Sequence, residues 1–151
     1  MIRKALKSDI PWMVSLSHNK RKSYAEAQKQ FWKMAKDSDK IQTKWFEELF
    51  EQKNAIALVV DNKEGFVIGK VVTPPEVYDA GLTLMIDDFC VSDESLWTSA
   101  GKDLIDEIKK LAKTRMVSQI LVVCGAHDSH KKSLLKQVGL ATTSEWYVGG
   151  L

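Results

Sequence analysis

The chain has 151 residues, of which 44% are hydrophobic and 28% are charged, and its formal net charge is +2. This length predicts one domain (1–151) with a sizeable core, and no apolar run approaches the roughly 18 residues that a membrane-spanning helix needs. The basic residues are scattered along predicted helices and form no stripe or groove-reading motif, so we expect neither a membrane nor a nucleic acid as partner.

The first third of the chain predicts one short strand and two helices. Ile2–Leu6 is the strand, and Ser8–Pro11 opens a helix with an N-cap residue and a proline in its first turn. This helix is expected to run to about Phe31 or Trp32. Asp37 begins the second helix, in which apolar residues recur at a spacing of 3.6 as far as Phe50.

The middle of the chain predicts an antiparallel meander. Ala55–Asp61 and Phe66–Thr73 are strands joined by a hairpin turn at Asn62–Gly65. Two prolines make Pro74–Gly81 a loop, and Leu82–Val91 is the next strand.

The last third predicts alternating helices and strands. A helix covers about Thr98–Thr114, Gln119–Gly125 is a buried strand, and Ser129–Val138 is a short helix with Gly139 as its C-cap. Thr142–Gly149 is predicted to be a closing strand. The order β-α-α-β-β-β-α-β-α-β predicts an α/β (α+β) fold with a mixed, mainly antiparallel central sheet and helices on both faces.

The two cysteines, Cys90 and Cys124, lie in apolar strand-like runs. Buried, reduced thiols of this kind are typical of a cytoplasmic protein, and the first residues lack the apolar block of a signal peptide. No His/Cys spacing indicates a metal site, so none is expected.

Two adjacent acids, Asp87 and Asp88, interrupt the apolar strand that precedes the sequence ESLWTSAG. The stretch 76–94 holds six acidic residues and no Lys or Arg. Such a field attracts cationic ligands.

The element order resembles that of the GNAT superfamily, the GCN5-related N-acetyltransferases, across essentially the whole chain. In that family an aliphatic residue after the fourth strand is followed by Arg/Gln-x-x-Gly-x-Gly/Ala at a helix start. Here Val91 takes the aliphatic position and residues 96–101 fall on the motif, with Gly101 kept and Leu96 in place of the usual Arg or Gln.

The resemblance implies acetyl-CoA as cofactor. Unpaired amides and the dipole at a helix N-terminus can hold a pyrophosphate. The backbone at the end of the strand would pair with the pantetheine arm. The expected cofactor-binding residues are Phe89, Cys90, Val91, Trp97, Thr98, Ser99, Ala100, Gly101 and Lys102.

A second match lies near the C-terminus, where the family shows Asn-x-x-Ala-x-x-Leu/Phe-Tyr-x-x-x-Gly-Phe. The tyrosine that often protonates the departing thiolate in the family is Leu135 here. His127 and His130 follow the fifth strand and are candidates to replace it as the acid, although a role as polar loop residues is the simpler interpretation.

The sequence IDDFCV resembles the LEDFFV-like strand of acetyltransferases that act on polyamines and related amines. By strand alternation Asp87 is the favoured base, which would attract an ammonium and accept a proton. Asp88 would bond nearby backbone or help to hold the amine, and a β-bulge would reverse this choice. A purely structural role for both acids is weighed equally.

The remaining candidates concern the acceptor. Tyr78 and Asp79 are expected to line the substrate entrance, and Trp32 to cover the acceptor site. The prediction is an acetyl-CoA-dependent N-acetyltransferase acting on a primary amine of a small molecule or peptide. The alternative is a catalytically degenerate GNAT-like module that binds CoA or a protein partner, and a homodimer is compatible with either.

Overall fold

Five strands, four α-helices and two short 3-10 helices make up the regular structure of the computed structural model, which describes residues 1–151. The strands are β1 (Ile2–Lys4), β2 (Ala55–Val60), β3 (Gly65–Val72), β4 (Thr83–Val91) and β5 (Gln119–Val122). The helices are α1 (Ile10–Ala27), α2 (Ser38–Phe50), α3 (Ala100–Lys113) and α4 (Ser129–Gln137). None of these helices is both long enough and apolar enough to cross a membrane.

The strands follow one another across a single sheet in the order β1-β2-β3-β4-β5. Neighbouring strands are antiparallel except β4 and β5, which are parallel because α3 returns the chain to the starting end of the sheet. The predicted mixed, mainly antiparallel sheet is therefore confirmed.

Each face of the sheet carries its own apolar core. On one face, Leu104, Ile105 and Ile108 of α3 are fully buried in a cluster that also holds strand residues and Leu134 of α4. On the other face, α1 and α2 contribute Met13 and Phe46. Burying a side chain of this size stabilises the fold by roughly 1.5–3 kcal/mol. Helices therefore cover both faces of the sheet, as the sequence predicts.

The predicted C-terminal strand, Thr142–Gly149, is wrong. Residues 141–151 form no regular structure, make no backbone hydrogen bond and are exposed throughout. The segment has the composition of a strand, but strand propensity reflects packing on a half-buried surface. This segment pairs with no strand.

Other differences concern where elements end. The first helix stops at Ala27 rather than near Phe31, because Gln28 turns extended (φ −144°) and its side chain accepts a hydrogen bond from the Gln30 amide at 2.8 Å. The fifth strand is a half-exposed edge strand rather than a buried one, and it stops at Val122 rather than Gly125. This early end opens the site described below.

Candidate active site

The strands β4 and β5 part halfway along β4. Pairing extends only to Ile86 opposite Val122, and the amide of Val123 donates the last backbone hydrogen bond, to Ile86 O at 3.0 Å. Five more residues of β4, 87–91, continue without a partner on that side. The divergence leaves an open strand edge inside the molecule.

A cleft of about 220 Å³ lies at this end of β4, between α1 and the turn before α4. Six of the residues predicted for the site line it: Phe89, Cys90, Val91, Trp97, His127 and His130. Lys20, Tyr24 and Asp128 line it as well. The structure thus brings together the end of the acidic strand and the histidine-containing turn, which are about 40 residues apart in sequence.

A β-bulge sets the directions of the two adjacent acids. Ile68 of β3 lies opposite Asp88 and the next residue, Gly69, lies opposite Ile86, so Asp87 is the extra residue. Asp88 is partly buried and pairs with Lys20 of α1, with Nζ 3.8 Å from Oδ1. The Asp87 side chain is exposed, and its carboxylate has neither a hydrogen bond nor an ion pair. The bulge therefore gives Asp88 the structural partner and leaves the carboxylate of Asp87 free.

The free carboxylate of Asp87 is also more basic than an ordinary aspartate. Desolvation by the surrounding protein and the nearby negative charge of Asp88 raise the pKa of Asp87 above its ordinary value. Neither acid is among the residues that line the cleft itself. Asp87 lies beside it, two residues before Phe89.

Two lysines occupy the open edge of β4. Lys20 donates from Nζ to Asp87 O at 3.3 Å, and Lys131 of α4 donates from Nζ to Phe89 O at 3.4 Å. These carbonyls belong to the part of β4 that has no β5 partner. Satisfying such groups matters because an unpaired buried carbonyl is destabilising.

Lys131 is the most unusual residue of the site, since its side chain is 1% exposed. Its Nζ lies 5.5 Å from the centre of the Phe89 ring and 5.8 Å from that of Trp97, and no carboxylate lies within 4.0 Å. Burial, with the nearby charge of Lys20, lowers the pKa of Lys131 to about 8.

Tyr24 ties α1 to the turn before α4. Its hydroxyl accepts a hydrogen bond from the Gly125 amide at 3.1 Å and donates to Asp128 Oδ2 at 3.1 Å. Asp128 in turn caps α4 by accepting from the Lys131 amide at 3.3 Å. Burial raises the pKa of Tyr24, so this hydroxyl stays protonated at neutral pH.

The two predicted histidines lie in different surroundings. The His127 ring packs against Tyr24 in a T-shaped arrangement, with centroids 4.6 Å apart. Trp32 completes a three-ring cluster, with its centroid 4.7 Å from that of Tyr24 and 5.9 Å from that of His127. His130 is half-exposed, and its Nε2 lies 3.0 Å from a carboxylate oxygen of Glu94. Trp32 is thus brought next to the cleft through Tyr24, although it does not line it.

The start of α3 is only partly at the cleft. A short 3-10 helix, Glu94–Thr98, precedes it, and Trp97 is buried edge-on against Phe89 at 4.9 Å. The five expected residues that follow, Thr98, Ser99, Ala100, Gly101 and Lys102, do not line the cleft. Thr98 and Ser99 are exposed at the helix start, next to the cleft wall that Trp97 forms.

Tyr78 and Asp79 are not brought into the site. They lie in the exposed loop before β4, at the strand end opposite the cleft, and neither lines it. Burial raises the pKa values of the Cys90 and Cys124 thiols, which keeps both protonated.

Lys20, Tyr24 and Lys131 are the site residues that sequence reasoning missed. One signal pointed to Lys131: it shares a helix face with Leu134, Leu135 and Val138 at spacings of three, four and seven. A lysine on the apolar face of a short helix is unusual. No sequence signal pointed to Lys20, whose position depends on how α1 crosses β4.

Comparison with known proteins defines the class of fold. No protein-family model and no curated protein matches the chain. Among solved structures, a tetramutant of the BH1408 protein from Bacillus halodurans superposes with a TM-score of 0.85 at 15% identity, covering 100% of this chain and 99% of that chain. A predicted acetyltransferase with acetyl-CoA from Clostridium acetobutylicum gives 0.75 at 18% identity, covering 99% and 95%.

A third solved structure is the aminoglycoside antibiotic 6'-N-acetyltransferase AAC(6')-Ig from Acinetobacter haemolyticus, with a TM-score of 0.73 at 11% identity, covering 100% of this chain and 97% of that chain. The chain has the fold of the GNAT acetyltransferases, as its element order predicts. At these identities the likeness defines the fold, and activity must be argued from the side chains of this chain.

Proposed function

We propose that this protein is an acetyl-CoA-dependent N-acetyltransferase that acts on a primary amine of a small molecule or peptide. The observation that carries the proposal is the cleft at the point where β4 leaves β5, with the unpaired carboxylate of Asp87 two residues before the cleft residue Phe89. The open edge of β4 would give backbone hydrogen bonds to acetyl-CoA. The unpaired carboxylate of Asp87 would accept a proton from the amine.

The chain's own groups fit the donor. Acetyl-CoA, when bound, supplies the acetyl group as an activated thioester. The backbone of Phe89–Val91 would hold the pantetheine arm along the open edge of β4, and the first-turn amides of α3 would hold the pyrophosphate. The cleft of about 220 Å³ is smaller than the roughly 300–1,000 Å³ of pockets that enclose drug-sized ligands, so it would take only the reactive end.

Asp87 would act on the amine. An amine is protonated at neutral pH and must lose a proton before it attacks a thioester. A carboxylate with a raised pKa both attracts the ammonium and accepts that proton better than an ordinary one. Asp88 is held by Lys20 and would keep the local field negative.

Calorimetry with acetyl-CoA, followed by detection of released thiol over a panel of amines, tests the proposal. We expect binding of acetyl-CoA and turnover with at least one amine. Asp87→Asn should lower kcat by about 10²-fold or more, since general base catalysis contributes 10²–10⁴. The control is Asp61→Asn, which changes an exposed carboxylate that pairs with Arg3 away from the cleft. Absence of acetyl-CoA binding would contradict the proposal.

The second candidate is a GNAT-like module that binds CoA or a protein partner without turnover. One observation favours it: Lys20 and Lys131 already occupy the two carbonyls, Asp87 O and Phe89 O, that the open edge presents. Leu135 also replaces the tyrosine of the family pattern. Binding of acetyl-CoA with no thiol release across the amine panel would select this candidate.

A further inference from the structure

The ammonium group of Lys131 is buried without a counter-ion. Its side chain is 1% exposed, its one hydrogen bond goes to Phe89 O, and no carboxylate lies within 4.0 Å. A buried charge is costly unless it is paired, and fully buried lysines are rare for that reason. Packing alone does not explain Lys131, because a methionine would fill the same apolar space between Phe89 and Trp97 without that cost.

The groups that face Lys131 come from every element around it. They are Lys20 of α1, Asp87 and Cys90 of β4, Cys124 after β5, and Asp128 of its own helix cap. Both thiols are protonated, and the carboxylates of Asp87 and Asp128 lie more than 4.0 Å from the Lys131 ammonium. Lys131 is therefore a cation whose site lacks a close, fixed anion.

The proposed acetyl transfer would produce an anion at this place. When the amine nitrogen forms its bond to the acetyl carbon, the carbon–sulfur bond breaks and its electron pair stays on the sulfur of CoA. The open edge of β4 that would hold the pantetheine arm includes Phe89 O, the atom that Lys131 binds. The thiolate would thus leave beside the only buried ammonium group of the chain.

We propose that Lys131 is the proton donor to the departing CoA thiolate. The inference depends on the proposed acetyltransferase function. One proton passes from Nζ to sulfur, which yields the neutral thiol and a neutral lysine amine. Asp87 accepts the proton that the ammonium loses before attack and passes it to solvent. The second proton, which the nitrogen loses as the amide forms, leaves by the same route. Solvent returns one proton to Lys131, so the reaction releases one proton overall. The products are the N-acetyl amine and CoA thiol.

The other donors at the cleft are less suitable. Tyr24 already donates its proton to Asp128, and burial makes it a weaker acid. His130 is half-exposed and paired with Glu94. His127 is packed against the rings of Tyr24 and Trp32. Lys131 has a pKa of about 8, close to the roughly 8.5 of a cysteine thiol, so an ammonium at this position can give its proton to a thiolate.

Lys131 lies directly beneath the cleft rather than in its wall. The two rings that flank its ammonium, Phe89 and Trp97, are wall residues. Its contact with Phe89 O is long at 3.4 Å, and its four-carbon stem is flexible. A ligand amide that takes over Phe89 O would release the ammonium toward the sulfur.

The test measures the thiol pKa of bound CoA by the ultraviolet absorbance of its thiolate, so it does not depend on turnover. In the wild-type protein we expect this pKa to lie about one unit or more below that of free CoA, because a nearby cation favours the thiolate. Lys131→Met should abolish the shift. Lys132→Met is the control, since that lysine is exposed on the same helix and donates to Ala126 O.

Lys131→Arg separates charge from proton donation. Arginine keeps the positive charge but does not give up a proton, so the thiol pKa should stay lowered while kcat falls by about 10²-fold. Equal thiol pKa values in free CoA and in CoA bound to the wild-type protein would overturn the inference alone, even if the Met variant failed to fold. Failure of CoA to bind the wild-type protein would overturn the proposed function as well.

Discussion

Asp87 and Asp88 show how adjacent residues of one type acquire different chemistry. The bulge turns Asp88 toward Lys20 and leaves Asp87 without a partner, although the sequence makes the two acids indistinguishable by charge. The raised pKa of Asp87 follows first from desolvation and then from the charge of Asp88. The pairing of Asp88 with Lys20 therefore helps to set the basicity of Asp87.

The Asp88→Asn variant tests this coupling. Removing the neighbouring negative charge should lower the pKa of Asp87, and the released Lys20 acts in the same direction. A base works in its deprotonated form, so the acid limb of the pH profile of kcat/KM should move to lower pH. Titration of the Asp87 carboxyl carbon by NMR measures the shift without turnover. An unchanged titration in Asp88→Asn, with Asp61→Asn as the reference, would show that the two acids are not coupled.

At the scale of elements, one carboxylate joins β1 to the start of α1. Asp9 is 6% exposed and receives both terminal nitrogens of Arg3, at 2.7 and 2.9 Å. It also accepts from the Leu6 amide at 2.8 Å and from the Trp12 indole at 3.1 Å. These hydrogen bonds, from Arg3 above all, hold the pKa of Asp9 well below its ordinary value against the opposing effect of burial.

Asp9→Asn should lower the free energy of unfolding by about 2–3 kcal/mol, since hydrogen bonds to charged groups contribute roughly 1.5–3 kcal/mol. Asp61→Asn removes the exposed partner of Arg3 and should cost less than about 1 kcal/mol. Urea unfolding at pH 7 measures both.

The pH dependence of that difference has a defined sign. A carboxylate whose pKa is lowered on folding stabilises the native state above its unfolded pKa of about 3.9, and this contribution is lost as the pH falls. The gap between wild type and Asp9→Asn should therefore be constant near neutrality and shrink below about pH 4. If the difference in unfolding free energy between wild type and Asp9→Asn stayed constant down to about pH 2.5, the lowered pKa of Asp9 would be contradicted.

The start of α3 depends on a close approach between Gly101 and Trp97. A Cβ at position 101 would lie 2.8 Å from Trp97 Cε3 and 3.3 Å from Leu134 Cδ2. Gly101→Ala should destabilise the protein by about 1–3 kcal/mol through overpacking, despite the higher helix propensity of alanine. Gly149→Ala, where the added methyl meets nothing, is the control and should change stability by less than about 0.5 kcal/mol.

A double-mutant cycle checks the cause of that loss. The Trp97→Phe substitution removes the ring atoms that Gly101→Ala would meet, so the alanine should cost less when both substitutions are present than it does in the wild type. Additive effects of the two substitutions, measured by urea unfolding, would show that Trp97 is not what restricts position 101.

Element type was predictable here where periodicity is strong, and element ends were not. The buried face of α3 is the one that the spacing of Leu104, Ile105 and Ile108 predicts. The bulge at Asp87 depends on pairing with β3, which is more than 15 residues away, and leaves no local mark in the sequence. The end of the first helix likewise depends on a side chain, Gln28, that caps a turn after it.

At the scale of the whole molecule, the order of elements was enough to predict the fold, because a meander followed by one crossover leaves few ways to build a mixed sheet. The candidate site was only partly predictable. Residues of β4 and of the turn before α4 meet at the cleft. This meeting follows from the order of elements, because the turn comes after β5, the strand next to β4. Lys20 and Lys131 reach it from opposite faces of the sheet, which requires the packing of α1 and α4 to be known.

The C-terminal segment, residues 141–151, is where strand composition and observed structure disagree most. Trp146 and Tyr147 are 84% and 89% exposed, and the nearest aromatic neighbour of Trp146 is Phe31 at 5.9 Å between ring centroids. In the same chain, β5 is an edge strand of four residues. An exposed segment of strand composition can pair with an open sheet edge, either in the same chain or in a second copy.

Truncation after Leu140 tests how this segment is used. Because its backbone makes no hydrogen bond and its side chains are exposed, removing it should change the free energy of unfolding by less than about 0.5 kcal/mol. Urea unfolding measures the change, and sedimentation equilibrium gives the mass of both chains. A loss above about 2 kcal/mol, or a dimer that becomes a monomer on truncation, would show that the segment pairs with a sheet edge as the strand its sequence predicts.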